Sequence, residues 1–344
     1  MKKIKVQFCD YERFMLDNNV ILDELRKIYD VEICDSPDIL FYSVFGKKHN
    51  SYKNCIKVFV SAEPTVPNFN EADYAISCCD LKFEDRHCYY PYYFMLNIEK
   101  LMSNKNDEVL MGGNRKFCNF IYSHTASDGG RLRNEFCRQL ISYKKVDCLG
   151  KVMHNEDDPM LGSRNDGNWN LSKIRVLAKY KFTIAFENTC LYGYTTEKLI
   201  DPLVAHSVPI YYGNPKIKEY INPNCFIDAT KYVEEGRIDE LLQYIEEVDN
   251  NEELYNSFLH EPILHKEAIE SIKTDLIRYL CNIIERGTRF EKDPYDFENK
   301  NRIPSIQLSK YIYYKTIYFI NSHPRVRRSF IKIKNIYYKV KKSR

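Results

Sequence analysis

The stretch FTIAFENTCLYGYTTEKLIDPLVAHSVPIYYG, residues 182–213, collects most of the chemically capable side chains of this sequence. An apolar run from Phe182 to Phe186 gives way to Glu187, Asn188, two tyrosines and a threonine pair. A helical pattern headed by Glu197 and Lys198 comes next. A helix that starts near Thr195-Thr196 offers free N–H groups and the positive end of its dipole, which together suit a phosphate. Lys198 adds a full positive charge in a first turn, where a cation slightly disfavours the helix itself. Tyr192 and Tyr194 supply faces for a base or a sugar, and the Glu197 carboxylate can accept from ribose hydroxyls. Pro202 should end or kink the helix. Gly213, directly after a strand, lets backbone approach a ligand closely. In isolation T-T-E-K is also the sequence of a capped helix with a surface ion pair; the full pattern favours a ligand loop.

Two further stretches carry candidate groups. In GGRLRNEF, Arg131 and Arg133 sit in the first turn of an expected helix, where arginine can clamp a diphosphate bidentately. Solvated helix charge is the alternative there. In VFVSAEPTVPNFN, Glu63 ends a buried strand and Pro64 and Pro67 stiffen the adjoining loop, so the carboxylate could act as a general base rather than as an ordinary loop charge. Glu156-Asp157-Asp158 is the nearest approach to a metal-binding D-x-D, but no apolar strand precedes it and it reads as a solvated loop. No metal ligands are expected.

The elements that would position these groups alternate. KIKVQF, VEIC, DILFYSVF, IKVFVS and YAIS read as strands, with Val20 to Ile28 a helix capped by Asp17-Asn18. Residues 99–116 are polar and read as a linker. FCNFIYS, VDCLG, FTIAF, VPIYYG and CFIDA read as further strands, with helices from Gly130 to Ser142 and from Leu171 to Tyr180. Three helical segments then run to about residue 285. The expectation is α/β: two Rossmann-like doubly wound domains facing a cleft, residues 1–113 and 114–300, with a C-terminal helix and basic amphipathic tail at 301–344. Ligands of such sheets bind beyond the carboxyl ends of the strands. Ser61-Ala62-Glu63, Ser123-His124, Glu187-Asn188 and Tyr212-Gly213 all fall there.

Composition fits a globular α/β chain of 344 residues. The net charge of +3 conceals an asymmetry. Residues 301–344 hold twelve Lys/Arg and no Asp/Glu, which leaves 39 basic and 48 acidic groups, a net of −9, on the other 300 residues. The twelve cysteines are scattered without a C-x-x-C, which argues against a zinc or redox motif and for reduced core thiols. MKKIKVQF is too short in apolar residues for a signal peptide, and no run of about 18 apolar residues exists. The expected location is cytoplasmic, peripheral at the inner membrane face.

F-E-N-x-x-x-x-G-Y-x-T-E-K-L-x-D, here Phe186 to Asp201, followed by V-P-I-Y-Y-G, closely resembles the signature of the α1,3/α1,4-fucosyltransferase family. SAEPTVPNFNEADYAIS looks like that family's N-terminal block, and GGRLRNEFCRQL with VDCLGKV like the start of its donor domain. The resemblance covers residues 1 to 285 or so. It implies a B-type glycosyltransferase fold, an acceptor-binding first domain and a second domain for GDP-fucose. It implies Glu63 as general base and Arg133 and Lys198 as diphosphate ligands. Asn188, Tyr194 and Glu197 would hold nucleotide and sugar. Tyr122-Ser123-His124 departs from the family's usual Ser-Asn pair. The implied reaction is inverting transfer of L-fucose from GDP-β-L-fucose, a substrate, to an N-acetylglucosamine or N-acetyllactosamine type acceptor in a surface glycan. The linkage, α1,3 or α1,4, stays open. No cofactor is required on this reading, and a divalent cation would be non-essential.

Rival readings are a B-type transferase with another nucleotide sugar and a nucleic-acid binder using the Tyr-rich basic tail. Glu187 and Glu197 lie ten apart, which disfavours the E-x7-E pattern of retaining enzymes. The acidic body and lack of a binding-module motif speak against nucleic acid. In RVRRSFIKIKNIYYKVKKSR, Phe330, Ile333, Ile336, Tyr337 and Val340 recur near helical spacing among Lys and Arg, which suits an anionic membrane surface. Each basic residue there contributes about 1 kcal/mol. Deleting residues 324–344 should abolish sedimentation with anionic vesicles and leave turnover on a soluble acceptor intact; a full-length chain that ignores such vesicles at low salt would overturn the tail's role.

Overall fold

The computed structural model describes residues 1–95, 114–124, 128–163, 169–264, 266–290 and 316. The tail from 301 lies outside them apart from Thr316, as does most of the expected linker.

The first sheet is built from β1 (Lys3–Cys9), β2 (Asp30–Ile33), β3 (Ile39–Tyr42), β4 (Ile56–Ser61), β5 (Tyr74–Ser77) and β6 (His87–Tyr89). All run parallel in the order β2-β1-β3-β4-β5-β6. β3 and β5 are buried along their whole length, as strands of a sheet covered on both faces must be. Helices α1 (Arg13–Asp17), α2 (Val20–Ile28) and α3 (Tyr92–Met95) accompany them. The cap of α2 is Asn19, whose side chain accepts from Leu22 N at 3.1 Å, one residue beyond the expected pair.

The second sheet contains β7 (Lys116–Phe120), β8 (Val146–Cys148), β9 (Tyr180–Phe186), β10 (Val208–Tyr212) and β11 (Ile227–Asp228), again all parallel, in the order β11-β10-β9-β7-β8. Its helices are α4 (Asp128–Tyr143), α5 (Trp169–Leu177), α6 (Glu197–Val204), α7 (Thr230–Glu235), α8 (Ile238–Asn250) and α9 (Glu252–His260). Phe120, Phe136, Phe182, Phe186, Leu241 and Ile245 fill the core between sheet and helices. Tyr180, expected as a helix end, opens β9 instead; its hydroxyl reaches Asp147 at 3.0 Å from a buried ring. All twelve cysteines are free, and all but Cys34, Cys190 and Cys281 are buried. Among the described residues no helix is long and apolar enough to cross a membrane.

The expected domains are continuous stretches, but the compact units are not. Residues 1–95, 192–194 and 266–290 make one unit, and residues 114–191 and 195–264, as far as they are described, make the other. Helix α10 (Lys266–Arg286) buries Leu276, Leu280 and Ile283, and it and the residues directly after it are also tied to the first unit by polar bonds that a hydrophobic pattern does not reveal. Ala75 N donates to Tyr279 Oη at 3.3 Å, Thr288 N to Tyr74 Oη at 3.1 Å and Phe290 N to Asp73 Oδ1 at 2.8 Å. The buried Arg86 guanidinium covers the Phe290 ring at 3.9 Å.

Counted from its own first strand, each sheet has its strands in the order 2-1-3-4-5, the first sheet adding a sixth. Connections leave the first strand in one direction and then reverse. The reversal, where open α/β sheets hold their ligands, falls between β1 and β3 in one sheet and between β7 and β9 in the other.

Candidate functional site

At the carboxyl end of β9 the ladder to β10 runs one residue past the strand, with Glu187 N donating to Tyr212 O at 2.7 Å. The Glu187 side chain is thereby drawn fully inside. A carboxylate there must be met by donors. Thr196 supplies its N–H at 2.7 Å and its hydroxyl at 2.9 and 2.8 Å from the two oxygens. Lys198 Nζ stands 3.3 Å from Oε2. Thr196 is also the N-cap of α6, its oxygen accepting from Lys198 N at 3.3 Å. One side chain therefore fixes where the helix starts and what its first turn faces. A Cβ at Gly213 would stand 2.6 Å from Glu187 Cγ, so the end of β10 closes over this carboxylate only with glycine.

The cluster is strongly polarised. Burial pulls the Lys198 ammonium down, but Glu197 and Glu187 outweigh it and raise the group above its ordinary range. Burial alone would lift the Glu197 carboxyl; Lys198 and then Lys173 overcome this and bring it to about 2. Glu187 moves the other way, raised by burial that Lys198 and Thr196 only partly offset. Lys173 on α5 pairs with Asp201 on α6 at 2.8 Å. Lys198 keeps some exposure, 15% for its side chain, so the ammonium is held from below by two carboxylates and still meets solvent.

The β7 side supplies the second cation. Tyr122 Oη lies 2.9 Å from Ile184 O and 3.1 Å from Phe186 O, and accepts from Phe186 N at 2.9 Å. The phenol extends the β7–β9 ladder where the backbones have parted. The Arg133 guanidinium lies 3.9 Å from the centre of that ring. It donates to Asn188 Oδ1 at 3.0 Å and to the His124 carbonyl. Because α4 begins at Asp128, Arg133 falls in its second turn and is buried, 2% exposed, instead of in an open first turn. A Cβ at Gly129 would overlap the Glu187 and Asn188 backbone, and Gly129 N donates to Asn188 O at 3.1 Å.

The second unit thus brings Arg133, Asn188, Glu197 and Lys198 to the reversal point of its sheet. Tyr194, also expected with the donor, is buried and counted with the first unit. In the same segment Tyr192 O accepts from Asp80 N at 3.0 Å and Gly193, at φ 85°, gives its carbonyl to Tyr89 Oη at 3.2 Å. Glu63 stands beyond β4 in the first unit and is exposed. Its backbone is clamped: N donates to Ser61 Oγ at 3.0 Å, and the carbonyl receives Thr65 N at 2.6 Å and Cys78 Sγ at 3.4 Å. Glu187, Thr196 and Tyr122 have no assigned role in the sequence reading; the E-N-x-x-x-x-G-Y-x-T-E-K spacing holds the first two in plain view. In the Glu156–Asp158 loop, Glu156 is paired to Lys145 at 2.6 Å and Asp158 to Lys179 at 2.7 Å. Those carboxylates are committed to lysines.

Two doubly wound parallel sheets, one with an anion-receptive helix start at its reversal point, define a glycosyltransferase fold of the B type. Residues 6–96 match the alpha-(1,3)-fucosyltransferase FucT N-terminal domain, and residues 112–295 match the C-terminal region of glycosyltransferase family 10 (fucosyltransferase). The chain belongs to glycosyltransferase family 10. It is 26% identical over 330 residues to the alpha-(1,3)-fucosyltransferase FucT of Helicobacter pylori, covering 81% of this chain and 65% of that one. To GDP-fucose protein O-fucosyltransferase 3 of Gallus gallus it is 31% identical over 149 residues, 42% of this chain and 30% of the relative. It therefore spans just under two-thirds of the first relative and less than a third of the second. A crystal structure of an alpha1,3-fucosyltransferase with GDP superposes with a TM-score of 0.68 at 25% identity, over 85% of this chain and 93% of that one.

The depressed Glu197 carboxyl carries a stability signature. A carboxyl held below its unfolded value, about 4.3, stabilises the fold above that pH and loses the effect as pH falls toward about 2. Glu197→Gln should be less stable than the parent near neutrality, and the gap should close across the acid range in denaturant titrations. A gap independent of pH would contradict this electrostatic account.

Proposed function

We propose that this protein is an inverting fucosyltransferase that moves L-fucose from GDP-β-L-fucose to an N-acetylglucosamine or N-acetyllactosamine type hydroxyl, α1,3 or α1,4. The observation that carries the reading is the Lys198 ammonium, seated on Glu187 beside a capped helix start, with Arg133 on the adjoining strand's side of the sheet. An inverting transfer makes one C–O bond as the bond from the sugar's anomeric carbon to the diphosphate breaks, through an oxocarbenium-like transition state. Negative charge accumulates on the leaving diphosphate. Preorganised cations and N–H groups lower that barrier most effectively because they need not reorganise. Lys198, Arg133 and the first turn of α6 supply them. Asn188, Glu197 and Tyr194 are assigned to nucleotide and sugar, and Glu63 to the acceptor hydroxyl proton. No cofactor is assigned. Family membership, and the likeness to an alpha1,3-fucosyltransferase crystallised with GDP, support the donor. The basic segment 324–344 would keep the enzyme at an anionic membrane, on the cytoplasmic side, near a lipid-linked acceptor.

Transfer from GDP-fucose to a panel of N-acetylglucosamine-containing glycans, with linkage analysis of the product, tests the reaction; turnover with UDP-sugars and none with GDP-fucose would overturn it. Within that assay, Glu63→Gln should lower kcat by a factor of roughly 10² to 10⁴ while GDP binding holds. A folded variant with near-parental turnover would remove Glu63 from the mechanism. Lys198→Ala should weaken GDP-fucose binding and slow transfer, and the parent enzyme should keep its activity in EDTA. Loss in EDTA that is restored by a divalent ion would show that a metal takes the role given to these cations.

A further inference from the structure

The first sheet reverses between β1 and β3, and the side chains that meet there belong to none of the roles above. Asp10 follows β1 with a left-handed backbone, φ 59°, which aspartate tolerates better than most residues. The loop after β3 wraps around it. Ser43 N donates to Cys9 O at 3.2 Å and Phe45 N to Asp10 O at 3.1 Å. A Cβ at Gly46 would overlap the Asp10 carboxylate, so only glycine lets the loop come this near. The carboxylate then receives Lys48 N at 2.9 Å, His49 N at 3.0 Å and the His49 ring nitrogen Nδ1 at 2.6 Å. The imidazole stacks on Tyr42 with centroids 4.2 Å apart. Both side chains are nearly buried, 4% exposed for Asp10 and 8% for His49. Yet Nε2 of His49 is not sealed from solvent and has no hydrogen-bond partner among the described residues.

A carboxylate on Nδ1 fixes the tautomer of a neutral imidazole. The proton stays on Nδ1, and Nε2 keeps its lone pair for an outside donor. Burial and stacking hold the ring in one orientation. A turn that needed only an anchor would be served by the two backbone donors; the ring bond adds an aimed acceptor at the ligand end of the sheet. Glu63 follows β4, two strands from β1 in the sheet order, and the register places Asp10 level with Val60, three residues before it, so both lie at the carboxyl end of the same sheet. We propose that Asp10 and His49 form a hydroxyl-binding point for the acceptor saccharide, with His49 Nε2 accepting from one sugar hydroxyl and Asp10 as its positioning residue. This rests on the proposed function for the identity of the acceptor alone.

Saccharide binding can be read without donor or turnover, by saturation-transfer NMR with N-acetyllactosamine, and GDP affinity by calorimetry. His49→Phe keeps a ring on Tyr42 and deletes both nitrogens. Asp10→Asn keeps an acceptor for Lys48 N at the Oδ1 position, but its amide nitrogen stands where Oδ2 received both His49 N and Nδ1, so the His49 backbone bond is lost and donation to Nδ1 moves the ring proton to Nε2. Each should weaken N-acetyllactosamine binding about tenfold, the loss of one well-placed hydrogen bond, and leave GDP affinity unchanged. Among monodeoxy N-acetyllactosamines, the one lacking the contacted hydroxyl should lose the same factor on the parent and nothing further on His49→Phe, because both remove one interaction. Unchanged saccharide binding in either variant overturns the proposal. So does a parallel loss of GDP affinity, which would make the pair a prop for the fold, or a parent chain that binds no saccharide. A parent that binds saccharide through His49 but transfers no fucose would instead overturn the proposed reaction and leave this site standing.

Discussion

The second sheet is organised around one buried carboxylate. Glu187 is carried inside by the β9–β10 ladder, and a buried charge that met no donors would cost the fold far more than it could recover elsewhere. Its needs dictate the surroundings. Thr196 must cap α6 where its N–H and hydroxyl both reach the carboxylate, and Lys198 must lie on the same turn. Gly213 must lack a side chain so that β10 can end against it, and Gly129 must let α4 start on the β9 backbone. The positive helix start beyond the sheet is thus a by-product of satisfying a charge inside it. Weakening that charge would alter stability and anion affinity together.

The same device recurs in the first sheet in a different chemical form. There too a carboxylate just past a strand at the reversal point gathers donors from a following loop, Lys48 N, His49 N and an imidazole in place of a threonine and an ammonium. Both strand orders are 2-1-3-4-5 from the first strand. The two sheets differ in what the gathered loop presents. One presents a full positive charge on a helix, fit for phosphate. The other presents an imidazole ring held on Asp10 by Nδ1, on a short turn.

Much of this is legible in sequence wherever the signal is local. Apolar runs such as FTIAF and VPIYY could be little other than buried parallel strands, and Thr196 before Glu197 announces a cap. β6 escapes because HCY is three residues long and carries a histidine rather than an apolar run. Tyr180 escapes because a buried tyrosine serves a helix end or a strand start equally, and a hydroxyl bond to Asp147, 33 positions away, decides the matter. Arg133 reads as an open diphosphate clamp; that its guanidinium rests on Tyr122 and bonds Asn188 depends on two loops meeting. Asp10 and His49 are 39 positions apart, and nothing in either neighbourhood announces the other. Spacing reveals partners on one helix or strand. It is silent on partners that only sheet order brings together.

The discontinuous first unit has a bearing on how the chain is made. Asp73 and Phe290 are 217 positions apart, and the carboxylate of one holds the backbone of the other. At a synthesis rate of about 5–20 residues per second, that partner arrives roughly 10–40 s after Asp73 has left the ribosome. During that interval Asp73, Tyr74 and Arg86 wait without the partners that residues 279–290 bring, while the strands of the second sheet are produced and can pair with one another. The N-terminal unit, whose strands are the first to be made, is completed only when the residues after 265 emerge.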